Sequence, residues 1–309
     1  MNAPQVTPSR KRPRGYIRDY APQAKTTALL TAVKAVLDEY CDHWPLTVRQ
    51  VFYRLVGAHG YDKTETAYKN LCHHLANARR GGTLPFHAIR DDGVMTLDME
   101  RFASADDFLI EQRRRAEAYE RDLMADQPFH VEVWCEAAGM IHQLARVAHR
   151  YSVNVFSSSG FDSLTAKHRM ATRICQIGKP AVILHLGDDD PSGESIFKSV
   201  AEDVTAFVEA DRLNATVTVR FERVALTPGQ VREYGLPTAP AKVTDSRSRA
   251  WDRETCQLEA LSPTMIAFLL ERAIGRLLDG DRLADARQAQ VLERADLTRL
   301  LLTFDRGAA

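Results

Sequence analysis

Apolar positions recur at helical spacing over residues 24–40, where Leu29, Leu30, Val33, Val36 and Leu37 form one stripe. Pro45 breaks that pattern, and Thr47 then stands where an N-cap belongs. The stretch LTVRQVFYRLVGAHG reads as a second, shorter helix closed by Gly57 or Gly60. A third helix, Thr64 to Arg80, gathers Tyr68, Leu71, Leu75 and Ala78 on one face. It turns Lys69, Asn70, His73, His74, Asn77, Arg79 and Arg80 outward, and Gly81-Gly82 ends it. Phe86–Arg90 and Val94–Leu97 then read as two strands about the hairpin signal Asp91-Asp92-Gly93. Helices followed by a β-hairpin predict a winged helix-turn-helix with Thr64–Arg80 as its recognition helix. Its candidate DNA-binding residues are Lys69, Asn70, His73, Asn77, Arg79 and Arg80. A charged helix from Ser104 to about Asp126 is expected to follow as a connector.

After Pro128 the pattern alternates between strand and helix. FHVEVWCE, VNVFSSSG, AVILHLGDDD and TVTVRFERVAL read as strands, with helices over 137–151, 163–177 and 192–213 between them. That alternation predicts a doubly wound parallel sheet and an α/β fold class, α+β over the whole chain. Two amphipathic C-terminal helices follow. Leu258, Leu261, Ile266, Leu269 and Leu270 of the first are expected against the sheet, and the second spans Arg282–Phe304. The predicted organisation is a basic arm (1–20), a winged-helix domain (21–103), a helical linker (104–127) and a parallel-sheet domain with C-terminal helices (128–309).

Composition narrows the class. With 41 basic and 41 acidic residues in 309, net charge announces no partner. Its distribution does more, because Arg10, Lys11, Arg12, Arg14 and Arg18 precede the first acid, as in a basic arm able to touch phosphate. No apolar run approaches a membrane span, and the polar N-terminus has no signal-peptide character, so a cytoplasmic protein is expected. Five scattered cysteines without a CxxC pair argue for reduced thiols, against zinc or a disulfide framework.

The candidate chemistry lies in Ala181–Ile196, AVILHLGDDDPSGESI. A buried strand runs into Gly187 and three aspartates, and Pro191 then opens a helix that Asp190 can cap. In extended chain Asp188 and Asp190 share one face while Asp189 points away. Glu136 ends another strand of the same sheet. The carboxyl edge can therefore bring Glu136, Asp188 and Asp190 together as hard oxygen ligands for Mg²⁺.

This combination resembles the type IIB topoisomerase A-subunit family, which includes the A subunit of topoisomerase VI and the meiotic double-strand-break protein. The resemblance rests on RQVFY (Arg49–Tyr53) in the helical region, the strand-end Glu136, and DxDPSG from Asp188, in order over residues 45–275. It implies a winged helix followed by a TOPRIM domain, a Rossmann-like parallel sheet with Mg²⁺ at Glu136, Asp188 and Asp190. It also implies Tyr53 as the nucleophile on double-stranded DNA, with Arg49 one helical turn earlier to hold the scissile phosphate. A homodimer is implied too, since in the family the tyrosine of one subunit works with the metal site of the other. A separate ATPase or accessory subunit and a nucleoid-associated location fit the same picture. The sequence departs from the family at Gln50, where an acid is usual, and at Ala137, where relatives often carry Gly or Lys. Two alternatives stay open: a TOPRIM nuclease that uses activated water while Tyr53 is structural, and a non-catalytic DNA-binding or assembly protein.

Overall fold

A computed structural model describes residues 17–90, 100–157, 164–241 and 251–303. They fall into two compact units that divide between Asp91 and Asp92. Most of the basic arm and the whole Asp91–Leu97 hairpin lie outside the described residues.

The first unit is built on three helices, α1 (Ala24–Glu39), α2 (Val48–His59) and α3 (Glu65–Arg80). Their apolar stripes meet through Leu30, Val33, Val36 and Leu37 of α1, Val51, Phe52 and Leu55 of α2, and Leu71, Leu75 and Ala78 of α3. Thr47 caps α2 in a reciprocal capping box. Its hydroxyl accepts the Gln50 N–H at 3.1 Å, and the Gln50 side-chain carbonyl accepts the Thr47 N–H at 2.8 Å. Gly60, with φ of 64°, closes the helix in the left-handed conformation. The expected Phe86–Arg90 strand is corrected. Residues Phe86–Ala88 form a 3₁₀ turn after Pro85, and only Ile89–Arg90 (β2) is extended, pairing in parallel with Leu46–Thr47 (β1). Proline fixes the backbone at the start of a turn more readily than inside a strand.

The second unit is a four-stranded parallel sheet between helices. Its strands are β3 (His130–Cys135), β4 (Asn154–Ser157), β5 (Ala181–Leu186) and β6 (Val219–Ala225), in the order β4-β3-β5-β6. Trp134 and Ile183 face α6 (Leu164–Ile177) and α7 (Pro191–Asp211), enclosing Met170, Ala171, Ile174, Val200, Val204 and Val208. Side chains of the opposite parity turn to the other face of the sheet. There α5 (Ile141–Ala148) packs on α9 (Pro263–Gly275), which buries Ile266, Leu270 and Ile274. A short helix, α8 (Pro228–Glu233), follows β6 behind a second capping box at Thr227 and Gln230.

The connector helix is shorter than its charge pattern suggests. α4 covers Ala105–Glu117 and packs on α10 (Gly280–Thr303). Beyond it the backbone finds partners on α10 in place of a further helical turn. Arg294 Nη2 donates to the Tyr119 carbonyl at 2.7 Å, and the Arg121 N–H donates to Gln290 Oε1 at 2.9 Å. Arg114 and Arg115 ion-pair with Glu111 of their own helix, as an exposed charge run ordinarily does.

Candidate functional site

Register alone assembles the acidic edge. Cys135 pairs with Leu186, so the chain leaving β3 at Glu136 lies beside the chain leaving β5 at Gly187, and the Glu136 N–H donates to the Leu186 carbonyl at 2.9 Å. β4 lies on one side of β3 and β5 on the other. The carboxyl ends of β3 and β5 are therefore the point where the strand order reverses, the place ligands occupy in open α/β sheets.

Asp190 caps α7, accepting the Gly193 N–H at 2.7 Å, with Pro191 in the first helical turn. Asp188 accepts the Leu258 N–H at 2.8 Å, and Glu136 Oε2 accepts the Asp188 N–H at 3.3 Å. Gly193 lets these groups close in. A Cβ there would stand 2.7 Å from the Asp188 carbonyl oxygen, 3.0 Å from Glu136 Oε2 and 3.3 Å from Asp190 Oδ1. All three acids are half-buried. Burial, then the charges of Asp188 and Asp190, push the Glu136 carboxyl up to about 7.

The three acids thus share one electrostatic cluster without forming a finished coordination shell. Among the described residues, no three Asp, Glu, His or Cys side chains are gathered closely enough to ligate one ion as they stand. Each carboxylate here accepts a backbone N–H. The donor set still fits a hard cation. A carboxylate has a second oxygen, and Mg²⁺ is usually held by one or two carboxylates with waters completing the octahedron. Glu136 and Asp190, flanking Gly193, would hold it, with Asp188 beside them.

Two arginines at this edge were not singled out from the sequence. Arg223, on β6, donates from Nε to the Leu226 carbonyl at 2.9 Å and from Nη2 to the Asp188 carbonyl; burial lowers its pKa. Arg253 ion-pairs with Asp189 at 2.8 Å and with Glu194 at 3.3 Å. Asp189 is buried and turned toward Arg253, consistent with the alternation along DDD. Glu259 is buried in the 3₁₀ turn Leu258–Ala260. No local pattern marks these arginines at the acidic edge, because the acidic-edge partners, Asp188 for Arg223 and Asp189 and Glu194 for Arg253, lie far away in sequence.

A second ionic group sits inside the sheet. Glu132 of β3 is fully buried and accepts from Arg173 at 2.7 and 2.8 Å and from the Trp134 indole at 2.9 Å, with His130 Nε2 also 2.9 Å away. Burial alone would raise its pKa, but the bonds from Arg173 and His130 prevail and hold it at about 2.

In the first unit, Tyr53 is buried in the helical core, 6% exposed, edge-on to Phe52 at 5.5 Å and with Lys63 Nζ 5.9 Å from its ring centre. Arg49 lies 5.8 Å from the Tyr68 ring. On α3, Lys69, Asn70 and His73 are exposed and Asn77 and Arg80 half-buried, with Asn77 Nδ2 2.9 Å from His73 Nε2. Arg79 does not share that outer face. It is buried, donating to the Leu75 carbonyl at 3.4 Å and lying 5.8 Å from the Phe86 ring, because the 3₁₀ turn brings Phe86 over it.

Fold and site together define a mixed α/β protein with parallel sheets and an acidic cluster at the reversal point of the larger one. No protein-family model matches the chain, and no curated protein matches it. Among the described residues no helix is long and apolar enough to cross a membrane.

Proposed function

We propose that this chain is a Mg²⁺-dependent DNA-cleaving protein of the topoisomerase VI A-subunit type. In this reading the first unit is a winged-helix DNA-binding module and the second a TOPRIM domain. The observation that carries the proposal is the meeting of Glu136, Asp188 and Asp190 where the order of the parallel sheet reverses. A carboxyl whose pKa is raised to about 7 by burial and by two carboxylate neighbours is a group that a cation would relieve. Bound there, Mg²⁺ supplies neutralisation of phosphate charge and fixes the scissile group. The chain's own part is to grip the duplex with Lys69, Asn70, His73, Asn77 and Arg80, to orient the phosphate with Arg49, and to present a nucleophile. In transesterification the Tyr53 hydroxyl loses its proton and bonds to phosphorus as the leaving sugar oxygen departs with a proton. The homodimer, an ATP-binding or accessory partner and a nucleoid location belong to this proposal.

The burial of Tyr53 favours a second reading, in which water attacks phosphorus and Tyr53 holds the helical core together. One experiment separates the two. Supercoiled DNA is incubated with Mg²⁺ and wild type, Tyr53→Phe or Asp190→Ala, then denatured and assayed for breaks and for protein-linked ends. Transesterification gives protein-linked ends that both variants lose. Hydrolysis gives free ends that Tyr53→Phe retains and Asp190→Ala loses. Absence of any break with wild type, with or without accessory proteins, overturns both and leaves a DNA-binding protein.

A further inference from the structure

Residues 251–258 form a strap across the acidic edge. Asp189 and Cys256 exchange backbone hydrogen bonds at 2.9 and 3.0 Å, Thr255 and Ala239 do so at 2.7 and 2.9 Å, and the Leu258 N–H reaches Asp188. The strap is thus fastened on both sides and fixes where Arg253 leaves the backbone. The guanidinium carbon of Arg253 stands 3.7 Å from the centre of the Trp251 ring, so the indole face holds the charged plane in position. Its side chain remains 36% exposed, while Glu194 on its outer side is 62% exposed.

Six carboxylates (Glu136, Asp188, Asp189, Asp190, Glu194 and Glu259) crowd this edge. A nucleic-acid phosphate approaching them is repelled unless a cation at the rim meets it first. Arg223 is less suited to that task, since it is half-buried where Arg253 is exposed, with Nε and Nη2 turned to the Leu226 and Asp188 carbonyls. Arg253 is at the rim, partly exposed, and paired with the surface Glu194, which a phosphate can replace with equal charge and better fork geometry.

We propose that Arg253, set on Trp251, is the phosphate-gripping residue of this edge, exchanging its ion pair with Glu194 for a backbone phosphate of bound DNA while Asp189 anchors it. The inference rests on DNA being the substrate, and makes Arg253 a substrate-binding residue that acts before any bond is broken.

Binding of a short duplex oligonucleotide, measured by fluorescence anisotropy in EDTA over a series of salt concentrations, tests this without chemistry. Arg253→Ala is expected to weaken binding about fivefold and to lower the slope of log affinity against log salt by about one. Arg253→Lys should restore the slope but only part of the affinity. Glu194→Gln should tighten binding, whereas Glu202→Gln, the same charge change at an exposed position further along α7, should leave it unaltered. If wild type binds DNA and Arg253→Ala matches it in affinity and slope, the assignment of Arg253 is wrong although the DNA reading stands. If wild type binds no DNA at low salt, the DNA reading falls and takes this assignment with it. Should Arg253→Ala lose its fold by circular dichroism, the Glu194→Gln and Glu202→Gln pair decides, and equal behaviour of those two overturns the proposal.

Discussion

Glu136 holds a proton in the folded chain that it has already lost in the unfolded one. Its folded value is about 7 against an ordinary 4.5, because burial and the Asp188 and Asp190 charges disfavour the anion. Between those values the native state binds more protons, so stability falls as pH rises through the window and levels off above it. With partial exposure screening the group, the loss is on the order of 2 kcal/mol. Buried His185, held at about 3, works in the opposite direction between pH 5 and 6.5, so the Glu136 effect is read as a difference. In urea unfolding without divalent ions, wild type should gain less stability from pH 5 to pH 8 than Glu136→Gln does, and equal pH dependence in both proteins would refute the electrostatic account. Glu132 does not blur the comparison, since its window lies below 4.5 and closes near 2. The Glu136 effect was half legible beforehand. Its place at a strand end follows from the apolar run before it, but its charged neighbours enter only through register. Arg253 was illegible for the same reason, since its partners Asp189 and Glu194 lie about sixty positions away along the chain.

At the scale of elements, α2 shows a local code working as written. Thr47 and Gln50 form the S/T-x-x-E/Q box, in which either Gln or Glu can perform the capping task. Thr47→Ala should cost about 1 kcal/mol of stability, and Gln50→Glu should leave stability within about 0.5 kcal/mol, as measured by denaturant midpoints. The start of α7 carries a stricter requirement. Gly193→Ala would put a methyl group 2.7 Å from the Asp188 carbonyl and 3.0 Å from Glu136, a backbone collision that side-chain rotation cannot relieve. A loss of about 1–3 kcal/mol is expected, and if the proposed metal site holds Mg²⁺, calorimetry should show weaker binding than in wild type. Unchanged stability would mean that the α7 N-terminus yields more easily than its packing implies. The elements that departed from expectation did so for two reasons. Pro85 set Phe86–Ala88 in a turn locally, and the chain after Glu117 gave its backbone groups to α10, a tertiary partner.

For the whole molecule, two compact units divide the tryptophans, with Trp44 in the first and Trp134 and Trp251 in the second. In a Trp44→Phe variant, fluorescence therefore reports the second unit alone. If that unit takes up Mg²⁺ at Glu136 and Asp190, a concentration 100 times the dissociation constant should stabilise its transition by about 2.7 kcal/mol. A melting curve indifferent to millimolar Mg²⁺ would count decisively against the metal site. The sequence by itself determined the alternation of strand and helix after Pro128, the capped helices before it, and the acids at the strand ends, because hydrophobic period and turn chemistry act over a few neighbouring residues. Only the tertiary structure decided that Phe86 lies over Arg79, that Tyr53 is buried and that Arg253 bridges Asp189 and Glu194. Those outcomes depend on which distant segments pack together, and no local spacing encodes that.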